Sequence, residues 1–264
     1  MKNRFSGYIV QLVALSVLFL AGCQSKKKYE GPTPVDMLVR DMMNEKTFSV
    51  QLYDMEVDEN KNSYRHKYRI IKNLEDSLQK PTITEWKNVS EVFFAENLDN
   101  MGLELASKSA DGVVHKIPAP PGYNGYVGNE RYGQWRTDNS GNSFWAFYGQ
   151  YMFMSTMLHM AMGPPIYRDS YSHYNSYRNN PSTRNSPYYG TGKNTYGTNS
   201  AVAKSTNPNF FSRKVQQQQL SSFKQKVASN PSRYTRVNST SSTNSRSSSR
   251  SGSSTRSRGG SFGK

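Results

Sequence analysis

A change of material after Tyr167 limits how this chain can fold. Up to that residue, 18 Lys+Arg and 18 Asp+Glu cancel; from Arg168 onward, 16 Lys+Arg face the single acid Asp169, so the whole net charge of +15 belongs to the last third. That third is built of Ser, Asn, Thr, Arg, Gly and Tyr, with few aliphatic residues. So little apolar surface does not offset the entropy of ordering a backbone. The expectation is a disordered basic tail over 168–264, with a short helix over 209–227 as the exception. Charge asymmetry of this kind implies an anionic partner for the tail alone.

Ahead of the tail, the pattern is that of a small α+β domain over 35–125. Thr33 before Pro34, with Asp36 in the first turn, starts a helix reaching about residue 44, with Val35, Leu38, Val39 and Met42 on one face. Phe48, Val50 and Leu52 then alternate with Ser49, Gln51 and Tyr53, which reads as a strand with one buried face. The polar run Asp58-Glu59-Asn60-Lys61-Asn62 makes a turn. Tyr64, His66, Tyr68 and Ile70 alternate with Arg65, Lys67 and Arg69, so the two runs form a hairpin. His66, on the aromatic side, reads as a packed histidine. Thr82, Ile83, Thr84 and Trp86 mark an extended piece, and Ser90 caps a helix carrying Val92, Phe93, Phe94 and Leu98 that ends before Gly102. The turn Ser109-Ala110-Asp111-Gly112 joins Leu103 and Leu105 to Val113-Val114-His115 in a second hairpin.

The segment 126–167 is rich in aromatic residues and methionine, and from 139 to 167 it carries no charge if His159 is neutral. Ser143 is placed to cap a helix over 143–162, with Gly163-Pro164-Pro165 ending it. A helix apolar over most of its circumference is buried or faces lipid. Phe144, Trp145, Phe147, Tyr148, Tyr151 and Phe153 are therefore assigned to the core or to the membrane interface. A full span is disfavoured by Gln150, Ser155, Thr156 and His159. The methionines at 152, 154, 157, 160 and 162 read as flexible core filling rather than soft-metal ligands.

The most specific motif lies at the start. Lys2 and Arg4 precede an apolar run over 8–20, and Leu20-Ala21-Gly22-Cys23 follows. A positive start, an apolar core of about 7–15 residues and a small-residue cleavage site compose an export signal, whereas a spanning helix needs about 20 apolar residues. The last four residues, Leu20, Ala21, Gly22 and Cys23, resemble the lipobox of bacterial lipoproteins at every position. The resemblance implies cleavage before Cys23, diacylation of its thiol and a palmitate-type lipid on the new amino terminus. It divides the region into a signal peptide, 1–22, and a lipidated tether, 23–34. It also implies residence in the bacterial cell envelope, membrane-anchored on the extracytoplasmic side, and in the outer membrane of a two-membraned cell, since Gln24 rather than Asp follows the cysteine. Cys23 is the only cysteine, which leaves no intramolecular disulfide or cysteine-based metal site. Beyond this, the chain resembles only envelope lipoproteins with low-complexity basic ends.

In the tail, tyrosines at 167, 171, 174 and 177 are interleaved with Arg168 and Arg178, and Arg246, Arg250, Arg256 and Arg258 stand in an Arg/Ser-rich run. Such residues stack on rings and contact phosphates or carboxylates. An exported tail meets envelope polymers and headgroups first, so these four arginines are assigned to an anionic partner and nucleic acid is disfavoured. The histidines at 66, 115, 159 and 173 fall in four separate elements, and no His-Glu-x-x-His run, Gly-x-Ser-x-Gly elbow or metal-spaced acidic cluster is present. No catalytic residue, metal or cofactor is assigned, and the chain is not expected to be an enzyme. The expected role is structural or interactive, at the membrane through the lipid and on an anionic envelope polymer through the tail. The alternative is a small-ligand or saccharide-binding module using Trp135, Trp145 and nearby tyrosines, with exported nucleic-acid binding a more distant third. Oligomeric state is not legible in these residues.

Overall fold

A long hairpin is the frame of the molecule, an α+β fold. The computed structural model describes residues 31–235 except 77, 79, 153, 156–164, 193 and 194. Strand β1 (Phe48–Asp58) runs antiparallel to β2 (Ser63–Lys72). Between them Asp58 caps a single 3-10 turn, accepting from the Lys61 amide at 3.3 Å, and Asn62 takes the left-handed conformation at φ 47°, which asparagine tolerates better than most residues. Simple alternation would turn Met55 and Val57 away from Phe48, Val50 and Leu52. A bulge between Leu52 and Asp54 inserts one residue and restores the phase. All five side chains then face the same side with 0% exposure.

On the other flank of β1 lies β5 (Glu104–Lys108), followed by the edge strand β6 (Val114–His115). Beyond β2 lie β3 (Thr82–Ile83) and β4 (Lys87–Asn88), both paired with it, so the sheet runs β3-β2-β1-β5-β6 and is antiparallel throughout. Helix α1 (Pro34–Asp41) starts from a capping box, in which Thr33 Oγ1 accepts from the Asp36 amide at 3.1 Å and Asp36 Oδ2 accepts from the Thr33 amide at 2.9 Å. Helix α2 (Glu91–Glu96) is capped by Ser90, whose Oγ accepts from the Phe93 amide at 3.1 Å.

The expectation of disorder over 168–264 fails for the residues described there. Four helices follow Tyr167: α3 (Arg168–Asn179), α4 (Ala201–Thr206), α5 (Pro208–Ser212) and α6 (Lys214–Ser229), the last two covering the helix expected over 209–227. Ala203, Phe210, Leu220 and Phe223 complete the core against Val50, Leu52, Phe94 and Tyr64. The cations find acids on the earlier part of the chain: Arg213 pairs with Asp54, Lys224 with Asp99, and Lys226 and Arg233 with Glu91. Part of the charge imbalance within the segment is thus offset by partners far away in sequence. Residues 236–264, including Arg246, Arg250, Arg256 and Arg258, lie outside the described residues.

The helix expected over 143–162 is also corrected. Ser143–Phe147 is strand β8, paired antiparallel with β7 (Gly133–Thr137), with Trp135 opposite Trp145. Between them Asp138 Oδ1 accepts from the Ser140 amide at 2.9 Å and the Asn142 amide at 2.8 Å, and Gly141 turns the chain at φ +85°. Aromatic residues favour a pleated surface with a cross-strand partner, and an Asp-initiated turn supplies one. Gly149–Tyr151 is a short 3-10 turn; Met152, Met154 and Ser155 are helical, as expected for that part of the range, and 153 and 156–162 lie outside the described residues. Among the described residues no helix is long and apolar enough to cross a membrane.

Candidate functional site

The sheet has two covered faces, and the second is where polar chemistry gathers. Ser49, Gln51, Ser107 and Glu104 project from it and are all buried. Over them lies a layer of tyrosines drawn from both halves of the chain, with Tyr123, Tyr126, Tyr132, Tyr174 and Tyr188 all at 5% exposure or less. Buried phenols need hydrogen-bond partners, and they find them at long range. Tyr132 donates to Glu75 at 3.0 Å, Tyr126 to the Lys108 carbonyl at 3.3 Å, and the hydroxyls of Tyr123 and Tyr196 are 2.9 Å apart.

Glu104 sits at the base of this layer with 0% exposure. Its Oε2 accepts from Ser49 Oγ at 2.6 Å and its Oε1 from Asn124 Nδ2 at 3.3 Å, while Asn124 Oδ1 accepts from the Tyr174 hydroxyl. Burial pushes the Glu104 carboxyl up, against the lowering effect of Ser49, Ser107 and Asn124. No cation pairs with it among the described residues. A single buried carboxyl, linked by one amide to a phenol, is a polar relay between the core and the surface.

At the surface end of this relay, a cleft of about 350 Å³ opens beside edge strand β6, lined by Tyr123, Asn124, Tyr174, Arg178, His115 and Lys116 among others. Arg178 is held in place: its Nη1 donates to the carbonyls of Arg184 and Ser186 at 2.9 and 2.8 Å, its Nη2 to that of Pro118 at 3.0 Å, and its plane lies over Tyr174 at 5.1 Å. His115 is half-buried, and burial lowers its pKa, with Asp111 opposing and Arg178 adding to the shift. A second cleft of about 470 Å³ adjoins it across Lys116, which bridges to Asp36 at 3.0 Å. Rings, an amide, an imidazole and a guanidinium in one concave wall suit a polar ligand with an apolar face, and these volumes fall in the usual range for small-ligand sites.

Several residues expected from sequence to be functional lie elsewhere. Trp145 (4% exposed) and Phe147 (8%) are core; Phe144 and Tyr151 are half-buried, and Tyr148 is exposed at 39%. Phe153, Cys23 and its lipobox, Leu20, Ala21 and Gly22, are outside the described residues. Trp135 stacks edge-on against Trp145 at 5.1 Å and is covered by Arg168 at 5.7 Å, so the tryptophans proposed for ligand binding pack together and do not line the cleft. His66 is fully buried against Phe94, and burial lowers its pKa to about 3. Among the described residues no three His, Cys, Asp or Glu side chains gather as a metal site. The cleft residues Asn124 and Arg178 went unseen in the sequence as a pair, because only the docking of α3 onto the 118–128 loop brings them together.

No family model matches this chain, and neither the curated proteins nor the solved structures include a significant match.

Proposed function

We propose that the protein is a lipid-anchored component of the bacterial cell envelope with an interaction role, held at the membrane through Cys23 and engaging an anionic envelope polymer through its last residues. The carrying observation is the composition of the last stretch of the sequence. Residues 236–264 hold six Lys+Arg and no acid, whereas Arg213, Lys224, Lys226 and Arg233 pair with acids of the body. From Cys23 to Thr33 is a reach of about 35 Å when extended, so the body stays close to the bilayer.

The test compares the full chain with one ending at Thr235 on isolated envelope material over a salt series. Loss of most salt-sensitive binding in the shorter chain supports the proposal, and equal binding by both refutes the tail's part in it. A chain ending at Tyr167 is unsuitable, because it also removes Phe210, Leu220 and Phe223 from the core. The anchor is tested by mass spectrometry of the mature amino terminus and fractionation of Cys23→Ala; an uncleaved, unmodified wild-type chain removes it.

The cleft at β6 supports a second reading, a saccharide-binding module. Its wall brings phenols of Tyr123 and Tyr174 together with the planar hydrogen-bonding groups of Asn124 and Arg178. Binding of an envelope oligosaccharide that survives truncation at Thr235 and is lost in Tyr174→Ala favours it.

A further inference from the structure

The tyrosine layer covers only part of its face of the sheet. Arg65, Lys67 and Arg69 alternate along β2 on that same face, beyond Ile71, and all three are partly exposed. Two acids lie among them and both are matched: Glu56 with Arg65 at 2.7 Å, and Asp54 with Arg213, whose Nη2 and Nη1 reach it at 2.5 and 3.1 Å. Lys67 is 5.0 Å from the Trp86 ring centre, and Arg69 is 5.0 Å from that of Tyr53. Neither forms an ion pair among the described residues, although Lys67 is near enough to Asp54 to oppose, with Arg213, the rise that burial causes in its pKa. Arg69 is the sharper case. Its guanidinium donates no hydrogen bond among the described residues, and burial lowers its pKa. A cation withdrawn from water without an anionic partner is costly, and an external anion would relieve that cost.

One apolar side chain stands directly beside these cations, and a second is exposed in the loop that leads to it. Ile83 is opposite Arg69 in the β2–β3 register and 42% exposed, and Leu78, in the loop leading to β3, is 85% exposed. Cations flanked by exposed aliphatic side chains match the chemistry of a bilayer surface, where phosphates lie above an apolar layer.

We propose that this end of the sheet docks on a bilayer rich in anionic glycerophospholipid, with Lys67 and Arg69 receiving headgroup phosphates and Leu78 and Ile83 entering the headgroup region. Each cation raises the docked population about fivefold, so the pair contributes about 25-fold. That is weak for a free protein and effective for one tethered within about 35 Å of the surface. The proposal rests on the anchored reading for this local concentration only.

Because Cys23 is the only thiol, the full chain can be coupled through it to a maleimide-headgroup lipid, which supplies the tether whether or not a cell acylates it. Amide hydrogen exchange over 76–87 is then compared on vesicles containing phosphatidylglycerol and on vesicles of phosphatidylcholine alone. Exchange slowed severalfold only on the anionic vesicles is expected. The slowing should vanish in Lys67→Gln/Arg69→Gln and weaken in Leu78→Ser, whose exposed position spares the fold. The attraction of the chain's last residues is common to all variants. Equal exchange on both vesicle types, or undiminished slowing in the double variant, overturns the proposal. Reversal by inorganic phosphate at matched ionic strength also overturns it, by indicating a small-anion site instead. Failure of the anchor itself is read separately, from the mass of the mature amino terminus.

Discussion

Phe223→Ala tests whether the basic segment belongs to the fold. The ring has 0% exposure and its centre lies 5.2 Å from that of Tyr64, 5.5 Å from Phe94 and 5.8 Å from Tyr234, so it joins α6 to β2, to α2 and to the 3-10 turn at Pro231–Tyr234. Burying a phenylalanine is worth about 1.5–3 kcal/mol, and an aromatic neighbour adds about 0.5–1.5 kcal/mol beyond area. Phenylalanine truncations in cores cost about 3–5 kcal/mol in total. Three ring partners place this one in the upper half of that range, at about 4–5 kcal/mol. At about 2–4 °C per kcal/mol for a body of this size, Tm falls by about 8–20 °C. Urea and thermal unfolding of the full chain, followed by far-UV circular dichroism, measure the change. A surface substitution in a disordered extension changes stability by about 0.5 kcal/mol or less. A shift below about 1 kcal/mol would therefore refute the packing of α6 in the core.

Glu104→Gln should alter the pH dependence of stability. The carboxyl is raised above its ordinary value near 4.5 by burial, so its contribution is fully present below the unfolded pKa and is lost as pH rises through the folded one. The glutamine variant lacks this loss, and its stability relative to wild type should climb from about pH 4.5 upward; a difference independent of pH between 4 and 8 would contradict the buried, proton-holding carboxyl. Gly133→Ala distinguishes strand from helix in the aromatic segment. An added Cβ meets the Ala146 carbonyl oxygen at 2.3 Å and Phe147 Cα at 3.0 Å, all backbone. A cost of about 1–3 kcal/mol with loss of the near-UV signal of the Trp135–Trp145 pair is expected, and a neutral substitution would argue against the β7–β8 pairing.

The parts of the fold legible in the sequence are those set by neighbours along the chain. The box at Thr33 and Asp36, the cap at Ser90, the β1–β2 alternation and the turn at 109–112 all rest on interactions within a few residues, which composition and period report directly. The bulge at Tyr53 was missed, although its trace is visible: the apolar phase changes between Leu52 and Met55. The β7–β8 hairpin is hard to read from sequence because aromatic residues without polar alternation fit a helix and a strand equally well, and only the turn at Asp138–Gly141 marks it. The cleft could not be read at all, since Asn124, His115 and Arg178 come from three separate elements.

The segment after Tyr167 departs furthest from what its composition suggests, and the cause is physical. Counting aliphatic residues assumes that a tyrosine contributes little to a core, because a phenol buried without a partner is costly. Here the partners are supplied from afar: Asn124 to Tyr174, Asn100 to Tyr189 at 2.8 Å, and Tyr123 to Tyr196. Asp54, Asp99 and Glu91 likewise receive cations that look unbalanced in a local count. Helix starts, strand phase and turns are local matters and could be read from the chain. Whether a polar, basic, tyrosine-rich stretch folds depends on hydrogen-bond and charge partners about 50 to 160 residues away, and those exist only once the chain has closed on itself.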